Sequence, residues 1–260
     1  MQIDFRRTGK ISASILRLQG IKSTLISTIV ILVMVFYACC SHFKSSALKV
    51  TSGNYWKEQA IRDILPYWIA YARDSVYGAF ITNLDDQWKP LPDYRKYPGM
   101  IGRHIFSYAV AYLITGDDKY LSIAASTKDF LLQYAWDKQY GGWYDILNRD
   151  GSPASMTKSM FNQTYALTGL VMYYFVTHDQ EVLSYIKKAN TLICDRLWDK
   201  ISGGYYNVAT EDWSVLDSNK SFASQVAPVS GYLLYLYLAT HDRQFLVQSE
   251  RIMEAVAANM

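Results

Sequence analysis

Asp74-Ser-Val-Tyr-Gly78-Ala-Phe80, Asp137-Lys-Gln-Tyr-Gly141-Gly-Trp143 and Asp199-Lys-Ile-Ser-Gly203-Gly-Tyr205 are one motif written three times, with the aspartates 63 and then 62 residues apart. Two further markers keep the same step. Lys96, Lys158 and Lys220 each precede a long apolar run, and Thr115-Gly-Asp117, Thr177-His-Asp179 and Thr240-His-Asp242 each close one. A shared period of this length signals stacked supersecondary units that bury their faces against one another.

The run inside each unit is apolar nearly all round, as in Ile105–Ile114 and Leu170–Val176, which predicts helices buried on every side. After Thr-x-Asp the pattern changes. Val182, Ile186, Ala189, Ile193 and Leu197 form one stripe with Lys187, Lys188 and Asp195 off it, so a one-faced outer helix is expected, capped by the aspartate. Gly-Gly-aromatic followed by alternation predicts a short hairpin closing near Asp150-Gly151. The expected fold is all-α: a partial (α/α)6 toroid with short β-hairpin loops, seven helices in three repeats of about 62 residues. The helices are placed near 55–73, 100–115, 118–136, 158–177, 180–198, 221–240 and 243–258.

Inner-helix N-termini open on one face of such a toroid, where orphan N–H groups and the positive dipole end create a polar mouth. Residues about four to eight past each repeat lysine are expected there: Arg103 and His104, then Asn162, Gln163 and Tyr165, then Ser224 and Gln225. Trp143, Tyr144 and Tyr205 would line it, a mixture of amides, guanidinium and rings suited to polyhydroxylated ligands. Arg103 at the head of an apolar helix calls for a ligand or for a carboxylate partner, Asp74 or Asp93. His178 and His241 read as turn residues, and the repeated aspartates as braces of their own loops. Asp145 and Asp86 break the repeat and are the carboxylates left for catalysis.

Residues 1–38 carry a net charge of +4 out of the chain's +3, so the rest is at −1 and gives no reason to invoke nucleic acid. The basic stretch precedes the uncharged apolar run 24–38, the design of a signal peptide. Cys39-Cys40 and a polar tether follow, resembling a lipid-attachment site at Cys39, with an uncleaved anchor or ordinary secretion as the alternatives. The expected organisation is therefore a signal peptide over 1–38, lipid-attachment cysteine and tether over 39–54, and an incomplete toroid over 55–260. The chain would sit at the cell envelope, on the periplasmic or surface side, held to the membrane by lipid or anchor. Cys194 reads as a buried structural thiol, and no metal-ligand spacing occurs.

The Asp…Gly-Gly-aromatic loops, the lysine after each loop, Arg103 seven residues past Lys96 and the opening Leu65-Pro-Tyr-Trp68 resemble the N-acylglucosamine 2-epimerase and cellobiose 2-epimerase family over about residues 55–245. The resemblance implies a cofactor-free (α/α)6 barrel that epimerises or isomerises sugars at C2, with a mono- or oligosaccharide as partner. With Arg103 matching the family and His104 the one histidine near the mouth, these two are the expected catalytic residues, and Asn162, Gln163, Tyr165, Gln225, Trp143, Tyr144, Asp145 and Tyr205 the expected substrate contacts. The chain departs from the family in two places. Seven helices stand where twelve make the barrel, and the family's Asn-x-x-x-His-x-x-Glu pattern reads Ala223-Ser-Gln-Val-Ala227-Pro-Val-Ser230.

Three functions stay open at this point: a sugar epimerase or isomerase, a glycoside hydrolase of an α/α-toroid family, and a non-catalytic glycan-binding member. Half a toroid would also leave apolar side chains such as Ile252, Met253 and Val256 on an open flank, so an incomplete gene product, or cover by a second copy or another subunit, is expected.

Overall fold

The computed structural model describes residues 51–259, together with Ile31 and Met34. Apart from Ile31 and Met34, the stretch expected to be a signal peptide lies outside the described residues, as do Cys39 and the expected tether up to residue 50. The chain divides into two compact units, Met1–Ile64 and Leu65–Met260.

In the first unit residues 53–64 are helical; the second unit holds α1 over 65–72, α2 Pro98–Thr115, α3 over 118–135, α4 Met160–Thr177, α5 Gln180–Arg196, α6 over 222–240 and α7 Arg243–Asn259. Helicity thus begins at Gly53, two residues earlier than expected, and takes the end of the predicted tether. In the first unit Arg62 Nε lies 2.6 Å from Glu58, an exposed i,i+4 pair. No described helix is long and apolar enough to cross a membrane.

The inner and outer helices differ as their patterns require. In α4 every residue from Ala166 to Tyr174 is buried, whereas α5 buries Val182, Ile186, Ala189, Asn190 and Ile193 along one face. Gly102 of α2 sets the closest crossing: a Cβ there would stand 2.0 Å from the Tyr165 carbonyl oxygen of α4, so only glycine allows it. Pro228 lies inside α6 and lacks the N–H owed to the carbonyl four residues back, and the helix widens into a π-turn at Val229–Leu233.

The Thr-x-Asp turns share one construction. Thr115, Thr177 and Thr240 hydroxyls donate back to the carbonyls of Ala111, Tyr173 and Leu236, each at 2.7 to 2.8 Å. Gly116, His178 and His241 are left-handed, and Asp117, Asp179 and Asp242 accept from N–H groups of the next helix. Both histidines are turn residues.

Two antiparallel hairpins interrupt the helices. β1 (Ile146–Leu147) pairs with β2 (Pro153–Ser155), and β4 (Val208–Ala209) with β5 (Val215–Asp217). Each reaches the lysine of the preceding loop: Leu147 pairs with Lys96, and Ala209 with Lys158 of β3 (Lys158–Ser159). On the flank, Ile252 is fully buried, contrary to the exposed position expected for it, because it lies on the inward stripe of α7; Met253 is 47% exposed.

Candidate functional site

The three repeated aspartates brace their loops, and each does so with the repeated lysine. Asp137 accepts from the N–H groups of Gln139 (2.8 Å) and Tyr140 (3.1 Å) and from Lys158 Nζ at 2.7 Å. Asp199 accepts from Ile201 and from Lys220 Nζ at 2.7 Å. Asp74 accepts from Val76, lies 3.1 Å from Lys96 Nζ, and is gripped by Arg149 at 2.9 and 3.1 Å. Burial pushes the Asp74 carboxyl up, but hydrogen bonds from Arg149 and Lys96 outweigh it and hold the group well below the usual carboxylate range. Desolvation lowers Lys96 and Lys158. The constant offset between aspartate and lysine was the sequence signal for this pairing.

The amides at lysine plus five also serve the loops. Gln163 Nε2 donates to the Trp143 carbonyl at 2.5 Å and its Oε1 accepts from Trp143 N at 3.0 Å. Gln225 repeats both bonds to Tyr205 at 2.7 Å. Each amide replaces a missing strand partner for the aromatic residue after Gly-Gly. Trp143 and Tyr205 are themselves buried, and the Tyr205 hydroxyl is pushed well up by burial.

Asn162 and Asp145 form a third structural group. Asn162 Oδ1 accepts from Gly99 N at 3.0 Å and its Nδ2 donates to Asp145 Oδ1 at 2.9 Å. Asp145 further accepts from Thr157 (2.8 Å) and from Ser159 N–H (3.0 Å) and hydroxyl (2.5 Å). Asp86 lies exposed in its turn. The Tyr144 ring centre lies 5.0 Å from Lys158 Nζ.

His104 is 8% exposed, stacked at 4.2 Å on Phe80 and edge-on to Trp68 at 4.9 Å. Its Nε2 has no hydrogen-bond partner among the described residues, and burial pushes the imidazole down to about 4, so it is neutral at pH 7. It belongs to an aromatic column that continues through Tyr108 and Tyr120.

Arg103 is different. Neither Asp74 nor Asp93 pairs with it, since Asp93 is held by Arg95 at 2.7 Å. Its guanidinium lies 4.0 Å from the Tyr165 ring centre and 5.2 Å from that of Phe161, with one contact of 3.2 Å to Met100 Sδ. Phe161 is 42% exposed and Arg103 half-buried, so cation and rings share an accessible face at the start of α2 and α4. Ala223 and Ser230 of α6 are exposed and Ala227 half-buried. The expected contacts thus separate: Arg103 and Tyr165 meet at this face, while Gln163, Gln225, Asn162, Asp145, Trp143 and Tyr205 are engaged within the protein.

Buried inner helices, one-faced outer helices and loops gathered on the inner N-termini define the α/α-toroid class. Residues 78–260 match the N-acylglucosamine 2-epimerase family, and the chain belongs to it. It is similar to the cellobiose 2-epimerase of Bacteroides fragilis, 28% identical over 58% of this chain and 38% of that protein. It is also similar to the N-acylglucosamine 2-epimerase of Mus musculus, 27% identical over 45% of this chain and 32% of that one. The solved cellobiose 2-epimerase of Spirochaeta thermophila superposes with a TM-score of 0.70 at 25% identity, covering 75% of this chain and 50% of its own. A family 76 glycoside hydrolase of Bacteroides thetaiotaomicron shares the fold at 19% identity and a TM-score of 0.64, over 78% of this chain and 54% of its own. The chain spans about half the length of these structures and about two fifths or less of the curated relatives it matches.

Proposed function

We propose that this chain holds a sugar for epimerase- or isomerase-type chemistry at C2 of an aldose or N-acylhexosamine, without a cofactor, at the face formed by Arg103, Phe161 and Tyr165. The observation that carries this reading is the Arg103 guanidinium, accessible, stacked on rings and without a carboxylate partner among the described residues. Such a group donates to sugar oxygens and stabilises negative charge developing on a carbonyl oxygen, while exposed rings take the apolar C–H face of a pyranose.

Proton transfer at C2 needs one group to remove the proton and another to return it. His104 is neutral, which suits a base, but its ring is covered by Phe80 and Trp68. Ala227 and Ser230 carry no acid–base group. We therefore assign the holding of the sugar, and not the proton transfer, to Arg103, Phe161 and Tyr165. The hydrolase reading draws no support from Asp145, whose oxygens are occupied by Thr157, Ser159 and Asn162.

Calorimetric titration of the full-length chain with mannose, N-acetylmannosamine and cellobiose tests the reading. Arg103→Ala should weaken binding at least about tenfold, the scale of a lost charged hydrogen bond. Unchanged affinity in that variant would remove the proposal.

The run 24–38 and Cys39 support a place at the cell envelope. Incorporation of labelled palmitate, lost in Cys39→Ser, is expected; a labelled variant would refute lipid attachment at that cysteine. The exposed Leu234, Leu238, Val247 and Met253 support covering of α6 and α7 by a second copy or another subunit. A monomer in sedimentation equilibrium would count against self-association.

A further inference from the structure

Arg149 and Glu211 occupy the same place in successive hairpins. Asn148 N–H to Ser152 O closes the first turn at 2.8 Å and Thr210 N–H to Ser214 O closes the second at 2.8 Å; the residue after each donor is Arg149 or Glu211. Arg149 folds back on the preceding loop, binds both oxygens of Asp74, and lies over the rings of Tyr94 (4.8 Å) and Tyr77 (5.5 Å). In the second hairpin Lys158 already fills the cation's place on Asp137 at 2.7 Å, and Glu211 feels that lysine electrostatically without a hydrogen bond to the loop. Among the described residues its carboxylate accepts no hydrogen bond.

The place filled by a guanidinium in the first hairpin is open in the second. A depression of about 320 Å³ is lined there by Trp136, Asp137, Gln139, Tyr144, Ser152 and Glu211. A second, of about 410 Å³, shares Glu211 and continues past Tyr140 and Asp212. A third, of about 540 Å³, joins Trp136, Gln139 and Tyr140 to Lys187 and Thr191. Together they wrap the tip of the Asp137–Gly141 loop as one groove. Trp213 fixes its wall: with φ of 68° it lays its indole on Gly142 and donates Nε1–H to the Tyr140 carbonyl at 3.0 Å.

We propose that this groove binds a chain of several sugar units, separately from the face at Arg103. Rings interleaved with amides and a carboxylate free to accept hydroxyl protons are what a polyhydroxylated chain requires, and each depression is at the scale of a small-ligand pocket. Glu211 accepts hydroxyl hydrogen bonds, Gln139 supplies both donor and acceptor, and Trp136 and Tyr144 offer ring surface. None of Arg103, Phe161 or Tyr165 lines the groove.

The test titrates the full-length chain with cellotetraose, mannotetraose and N-acetylchitotetraose, followed by tryptophan fluorescence. Glu211→Arg recreates the plug of the preceding hairpin and should abolish saturation, and Glu211→Ala should weaken it about tenfold. Tetraose titration of Arg103→Ala beside the Glu211 variants separates this groove from the Arg103 face. Circular dichroism establishes that each variant is folded. The proposal is overturned if no tetraose saturates the wild type by about 10 mM, or if both Glu211 variants bind as it does. Binding lost in Arg103→Ala but kept in the Glu211 variants would overturn it too, while leaving the reading of the Arg103 face intact.

Discussion

Lys158 Nζ stands 2.7 Å from Asp137 Oδ2 with both side chains sealed from water, at 0% and 1% exposure. Lys220 and Asp199 make the same 2.7 Å contact one repeat later, but at 23% and 11% exposure. Removing one member of a sealed pair strands a charge, so Lys158→Met should destabilise the protein by about 3–5 kcal/mol. Lys220→Met should cost clearly less, because water can solvate Asp199. Asp137→Leu combined with Lys158→Met should recover much of the loss. Urea denaturation of the three variants checks the order; equal costs for Lys158 and Lys220 would contradict it.

His104 gives stability a pH dependence of fixed sign. Its imidazole is pushed from 6.5 down to about 4, so between those values the unfolded chain binds the proton and the folded one does not. The contribution is complete above pH 6.5 and is lost as pH falls toward 4, on the order of 3 kcal/mol in all. His104→Phe keeps the stacking on Phe80 and should flatten the stability curve in that window, leaving stability at pH 7.5 within about 1 kcal/mol. An unchanged difference between the two proteins from pH 7.5 to 4 would show that the imidazole is not held neutral.

Gln163 and Gln225 should behave as structural residues. Gln163→Ala leaves the N–H and C=O of Trp143 unpaired in the interior, an expected cost of about 2–5 kcal/mol. Gln225→Ala should act likewise through Tyr205. Sugar affinity of the folded fraction should not change in either variant. A weakened affinity at full stability would return these amides to the ligand.

The fold was legible because it repeats. The stripe Val182, Ile186, Ala189, Ile193 and Leu197 is buried at 0 to 1% exposure, and the buried run of α4 matches its apolar sequence. The site was less legible. Proximity to an inner-helix N-terminus is common to Arg103, Asn162 and Gln163, yet hydrogen bonds to residues 17 to 63 positions away decide which side chain is already engaged. Asn162 and Gln163 are engaged; Arg103 is not. The loop partners Arg149 and Glu211 escaped notice because repeat comparison favours identities, and these two differ in charge at one position.

Saturation-transfer NMR of the full-length chain in D₂O, with mannose, N-acetylmannosamine and cellobiose, tests the central assignment most directly. It reads contact at the ring protons and exchange at C2 in one sample. Transfer to at least one sugar, lost in Arg103→Ala, with the C2 proton retained, is the expected result. Absence of transfer in a folded sample, or equal transfer in Arg103→Ala, would contradict the account; deuterium entering C2 would show that this chain supplies an acid–base pair as well.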